Sequence, residues 1–200
     1  MAKAKPITGL DIQAPTGQNA CIIALTRLEE MYNWSAYVDS PYAVRELHNL
    51  RIAAKRLRYT LEIFADFLPG DCKPLVKELE QVQEELGQLH DSDVMIALLR
   101  LCLGSQEYPV MSQVATAGQQ GQGKKQVAKP FLRPELVAEL LNPSVAHTAE
   151  ERYGLEQFLR KRELAREEQY RAFHQHWYRL QEQDFRHHLI EILDKELVVA

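Results

Sequence analysis

Between Arg45 and Arg58 the chain places five lysines and arginines and one histidine against a single acid, Glu46. His48, Arg51, Lys55 and Arg58 recur at the spacing that puts side chains on one face of an α-helix. Arg45 and Arg56 lie further round the same wheel. Like charges so placed repel by about 0.2–0.5 kcal/mol per pair, and only Glu62 follows on the row as an acid. A solvated surface helix would interleave its signs, whereas an uncompensated row is relieved by an anion. Guanidinium forks grip phosphate oxygens in pairs, and lysine adds a mobile point charge. A histidine with an ordinary pKa near ~6.5 gains charge as phosphate approaches. At ~1.5 Å per residue the row runs about 15 Å, which suits an extended anion better than one compact phosphate. The competing reading pairs the row with acids of the next helix, where Glu78, Glu80, Glu84, Glu85, Asp91 and Asp93 are available.

The helix that holds this row has its own core seam: Leu47, Leu50, Ala53, Ala54, Leu57, Leu61 and Phe64. Glycine and proline are absent from 43–68 and from 155–200, and both stretches read as long helices. Four helices are expected, at about Gln18–Tyr37, Pro41–Phe67, Lys73–Cys102 and Thr148–Leu197. The second stops at Pro69-Gly70. Gly87 inside the third marks a weak point or a close helix approach. The fourth is long enough to need a bend that no proline marks. Residues 104–149 hold four of the nine glycines and four of the nine prolines, and Ala115–Lys129 nearly lacks large apolar groups. That composition predicts a disordered insertion at 104–147. Residues 1–17 read as a flexible lead-in to a helical domain at 18–200. No strand pattern persists, so the fold class is all-α, an antiparallel four-helix bundle with one long loop between helices three and four.

The 200 residues suffice for a real core, and 46% hydrophobic with 26% charged residues is ordinary for a globular protein. Disordered, collagen-like and disulfide-miniprotein classes are excluded. The formal net charge of −4 points away from a general polyanion binder, so an anion site here must be confined to a focused row. Cys21, Cys72 and Cys102 lack metal or redox spacing and read as reduced thiols. No apolar stretch reaches the ~20 residues of a membrane span. A cytoplasmic location is expected.

His48-x-x-Arg51-x-x-x-Lys55-Arg56-Leu57-Arg58-Tyr59, followed by Leu61, Glu62 and Phe64, resembles the signature of the CHAD domain, the conserved histidine α-helical domain. Leu79-x-x-Val82-Gln83-x-x-Leu86-Gly87-x-Leu89-His90-Asp91-x-Asp93-Val94 is similar to that family's next helix. The two matches span about Val44–Leu99. The resemblance implies a helical domain that binds inorganic polyphosphate through His48, Arg51, Lys55 and Arg58, with Arg56 beside them. It further implies association with polyphosphate granules and with polyphosphate-associated enzymes, and the family's domain often accompanies a triphosphate-processing CYTH domain. Family members usually carry two similar halves facing a shared basic channel. Here one clear motif stands in about half that length, so a homodimer is expected to supply the other.

Other groups are weaker. His176-x-x-Arg179-x-x-x-Gln183-x-x-Arg186 repeats the spacing, but Gln replaces Lys, and Gln175, Glu182 and His188 interrupt the apolar seam. Arg162 and Arg166 share a sector with Leu155, Leu159, Phe173 and Trp177. They either snorkel and meet a buried acid or line the same anion channel. Gly118–Lys125 approaches a P-loop but lacks its hydroxyl and a preceding strand. His90, Asp91 and Asp93 could hold a metal, although no metal or cofactor is expected. The sequence therefore favours a non-catalytic polyphosphate binder without specific nucleic-acid recognition. A metal-dependent phosphohydrolase using His48 or the His90/Asp91/Asp93 group is the runner-up. A helical adaptor for an acidic protein partner is the third reading.

Overall fold

The computed structural model describes residues 3–68, 72–104 and 148–197. Among them all regular structure is helical: α1 (Thr16–Tyr32), a 3-10 turn (Ser35–Tyr37), α2 (Val44–Ile63), α3 (Lys73–Cys102), α4 (Ala149–Glu182) and α5 (Phe185–Leu197). The expected all-α helical bundle is what the chain forms. The expected disordered insertion lies, from residue 105 on, outside the described residues, as do Gly118–Lys125 and the Pro69-Gly70 stop. The lead-in before α1 is bonded to it: Arg27 donates to the Lys5 carbonyl at 2.9 Å, and the Asn19 amide to that of Asp11 at 2.7 Å.

The helix ends differ from the pattern for local reasons. The first helix yields at Tyr32 to a 3-10 turn, where the Ser35 hydroxyl donates to the Tyr32 carbonyl at 2.7 Å and competes with helical bonding. The single long fourth helix is two helices. Asp184 adopts φ 51° between them, the left-handed conformation that Asp tolerates better than most side chains. That turn supplies the bend without glycine or proline. α4 opens on a capping box: the Thr148 N–H donates to Glu151 Oε2 at 2.8 Å, and the Glu151 N–H donates back to Thr148 Oγ1 at 3.2 Å.

The chain divides into two compact units, Met1–His90 with Glu168–Ala200, and Asp91–Glu167. The core of the first unit is built on the α2 seam. Leu47, Leu50, Ala53, Ala54, Leu57 and Leu61 are buried, and Phe64 packs partly buried beside them. They meet Leu28 and Met31 of α1, Leu79, Val82, Leu86 and Leu89 of α3, Phe173 and Trp177 of α4, and Leu189 and Leu193 of α5. Tyr170 of α4 holds the segment after the 3-10 turn by donating to the Val38 carbonyl at 2.7 Å. In the second unit, Arg166 and Asp93 form an ion pair at 2.8 Å with side chains 7% and 9% exposed.

One buried polar cluster holds α4 to α3 inside the first unit. His176, 3% exposed, lies between Glu85 Oε2, 2.8 Å from its Nδ1, and Glu78 Oε2, 3.0 Å from its Nε2. The hydrogen bond that Glu85 accepts, joined by that to Glu78, raises the imidazole pKa against the opposing effect of burial. The set His176, Arg179, Gln183 and Arg186 is therefore not a second binding row. His176 is enclosed, Gln183 falls in the break between α4 and α5, and Arg186 lies over the Tyr32 ring at 4.9 Å.

A group whose folded pKa is raised stabilises the fold fully below its unfolded pKa, ~6.5 for histidine, and loses that contribution as pH rises through the folded value. His176→Gln should thus cost about 1–3 kcal/mol near pH 6. Urea unfolding at pH 6 and pH 9 should show the gap from wild type narrowing at the higher pH. A gap that does not change with pH would count against a charged His176.

Candidate functional site

α2 presents its cations to α3. His48 stacks on His90 with ring centroids 4.2 Å apart. One turn on, the Arg51 guanidinium lies over Gly87, with Nε 3.5 Å from where a Cβ would stand. Two turns beyond, Arg58 faces Glu80 at 3.7 Å. These three contacts share one antiparallel register, each step forward on α2 matched by an equal step back along α3. The same register sets Gln83 across from Lys55. The α3 face Glu80, Gln83, Gly87 and His90 thus repeats, in reverse, the spacing of His48, Arg51, Lys55 and Arg58.

All four members of the row are half-buried. Tyr59 holds two of them in place, with Lys55 Nζ 5.3 Å and the Arg58 guanidinium 4.8 Å from its ring centroid. Such contacts steady the cationic head without neutralising it. Arg58 also reaches Glu62 at 3.4 Å, and both of its acids are largely exposed. Among the described residues, no carboxylate lies within ion-pair distance of Arg51 or Lys55. His48 Nδ1, Arg51 Nε, Arg58 Nε and the Gln83 side-chain oxygen are buried and make no hydrogen bond. Burial, followed by the charges of His90 and Arg51, pushes the His48 pKa down to about 4. His48 thus stays neutral to lower pH than the ordinary histidine expected from the sequence.

The acids of α3 expected to neutralise this row are mostly occupied elsewhere. Glu78 and Glu85 hold His176, Asp93 accepts from Arg166, and Glu84 accepts from Gln88 at 3.4 Å. Of the other candidate cations, Arg56 bonds Glu30 of α1, which Arg27 also reaches at 2.7 Å. Glu30 is only 5% exposed, so Arg56 belongs to a buried three-residue ion pair rather than to the row. Arg45 is exposed near the start of α2. Arg162 and Arg166 lie in the second unit, where Arg162 sits 5.1 Å over the Phe158 ring and Arg166 is taken by Asp93. Among the described residues no three His, Cys, Asp or Glu side chains are grouped to hold a metal ion. Asp91 is exposed and Asp93 is bonded to Arg166, so the His90/Asp91/Asp93 set is not such a group. Also among the described residues, no helix is long and apolar enough to cross a membrane.

The segment that builds this face, from Ile23 in α1 through Arg100 in α3, matches the family model of the CHAD domain over residues 23–100. This stretch is similar to the CHAD-domain family. It contains all of α2, the facing ladder of α3 and the Glu30 ion pair, while α4 and α5 lie beyond it. No curated protein and no solved structure gives a significant match to the chain. Within the CHAD stretch, sequence reading found the row but not its counterpart. The signal was the matched spacing of Glu80, Gln83, Gly87 and His90 on the neighbouring helix.

Gly87 gives this packing a direct check. Its Cβ replacement would meet Arg51 at an ordinary contact distance, and alanine suits a helix interior better by about 0.5–1 kcal/mol. Gly87→Ala should therefore raise the denaturation midpoint of the CHAD-containing chain. Gly87→Leu needs the space the Arg51 guanidinium occupies and should lower it. Equal midpoints for the two variants would show that Arg51 does not rest there.

Proposed function

We propose that the α2 row binds inorganic polyphosphate, without catalysis. The observation that carries this reading is that Arg51 and Lys55 are half-buried, side by side on one helix face, and free of any carboxylate among the described residues. Side chains so placed keep their full charge for an arriving anion and have already lost part of their hydration. The match of residues 23–100 to the CHAD family, linked in general to polyphosphate and triphosphate binding, supports the same ligand class. Arg51 forks phosphate oxygens, Lys55 adds a point charge, and Arg58 exchanges its long contacts with exposed Glu62 and Glu80 for phosphate. His48 contributes a ring nitrogen donor. Arg45 extends the row towards the start of α2. Arg56 and Arg166 serve the fold through their ion pairs.

The direct test is titration of the full chain with long-chain polyphosphate at several salt concentrations. Wild type should lose affinity steeply with salt. Arg51→Ala/Lys55→Ala/Arg58→Ala should bind far more weakly and with a shallower slope, by about 0.7 in log K against log salt for each phosphate contact removed. Arg56→Ala should instead lower stability by about 1.5–3 kcal/mol, since it takes a partner from buried Glu30, and keep the wild-type slope. A triple variant that binds as wild type does would remove the row from the site.

A homodimer would bring a second row opposite the first across a two-fold axis. Light scattering at micromolar concentration should then read twice the monomer mass. A monomer that binds at full affinity would show that one row suffices.

A further inference from the structure

We propose that the His48–His90 stack couples anion capture to proton uptake, so that the polyanion binds together with a proton that lands on the paired imidazoles. This rests on the reading of the α2 row as a polyphosphate site and adds a pH-dependent regulation to it.

Two histidines of the first unit, buried His176 and half-buried His48, stand in opposite surroundings. His176 has a carboxylate on each ring nitrogen, at 2.8 and 3.0 Å, and these favour its charged form. His48 has the reverse environment. His90 of α3 stacks on it at 4.2 Å, and Arg51 of its own helix stands one turn away. The ionisable pair that α1 directs at α2, Glu30 with Arg27, is closed on Arg56. The named side-chain charges acting on His48 are thus basic, and both they and burial hold it neutral. Its Nδ1 is buried and makes no hydrogen bond. What His48 lacks, among the described residues, is a negative partner.

A phosphate chain lying along Arg51, Lys55 and Arg58 brings that partner. It reverses the sign of the field at the end of the row and gives a protonated ring an oxygen to bond. Binding one ligand then favours the other, and the coupling is reciprocal. Two imidazolium rings in contact repel, so the pair takes up one proton rather than two, and His48 is the ring that takes it. The proton comes from the buffer, and no bond other than N–H forms or breaks. In the free state the neutral ring removes one charge from a row already crowded with cations, and in the bound state that charge is restored.

The sign follows from linkage. Affinity rises as pH falls through the range where the bound stack is protonated and the free stack is not. The lower limit is the free His48 value of about 4. One coupled proton changes affinity by up to roughly tenfold per pH unit inside that range.

The test is calorimetric titration of the full chain with long-chain polyphosphate, whose titrating end groups are few, near pH 6 in two buffers of different ionisation enthalpy. Wild type should take up about one proton per bound site. His48→Gln should still bind, more weakly, with uptake reduced towards zero. Lys55→Ala should bind more weakly with uptake unchanged. Binding with the same heat in both buffers would overturn the coupling and leave the polyphosphate site standing. Absence of any polyphosphate binding would overturn the site itself. Uptake that persists in His48→Gln would place the proton elsewhere and also overturn the coupling. Should His48→Gln not fold, the imidazole NMR shifts of wild-type His48 with and without polyphosphate give the same answer. An unmoved titration curve there is the negative result.

Discussion

Cations on α2 must be packed against α3 and yet kept from its carboxylates, and the rest of the CHAD stretch is arranged around that requirement. α3 has enough acids to neutralise the row. They are prevented from doing so by where they are turned. The face that meets α2 offers Gly87 under Arg51, a histidine ring under His48, and an amide across from Lys55. Only at the Arg58 end does an acid approach, and it does so at 3.7 Å from the exposed side. Glu78 and Glu85 of the same helix look towards α4 and hold His176. The α3 surface is thus divided, with Gln83, Gly87 and His90 towards the middle and start of the α2 row and Glu78 and Glu85 towards α4.

This division explains why a chain with net charge −4 can present a cationic face. Averages over a sequence say little when the acids are tied into internal pairs or spread over other helices. The relevant quantity is the local field, which depends on which carboxylates lie within a Debye length of about 8–10 Å and remain unscreened by burial. Along Arg51 and Lys55, among the described residues, none comes into direct contact.

The helices, the α2 seam and the row were legible in the sequence because each depends on periodicity within one element. The seam residues from Leu47 to Leu61 are buried as the wheel requires, and α3 has the limits its pattern gave. What periodicity cannot supply is the pairing between elements. Nothing local distinguishes Arg56, bound to Glu30 of α1, from Lys55 beside it. The break at Asp184 was visible only as a helix too long to be straight. Its position depends on one aspartate accepting a left-handed backbone, which propensity does not single out. The lowered basicity of His48 was equally hidden, since it comes first from burial and then from the His90 ring that folding brings close.

The buried Arg27–Glu30–Arg56 group has a mechanical consequence for α2. Successive side chains on a helix are set about 100° apart, so fixing the azimuth of one fixes that of all the others. Arg56 is anchored to a carboxylate that two guanidiniums hold, and rolling α2 about its axis would have to tear it away. The helix can therefore slide or flex by small amounts without rotating its row towards the acids of α3. In that sense the row is aimed from behind, by a residue on α1 far round the helix from whatever the row meets.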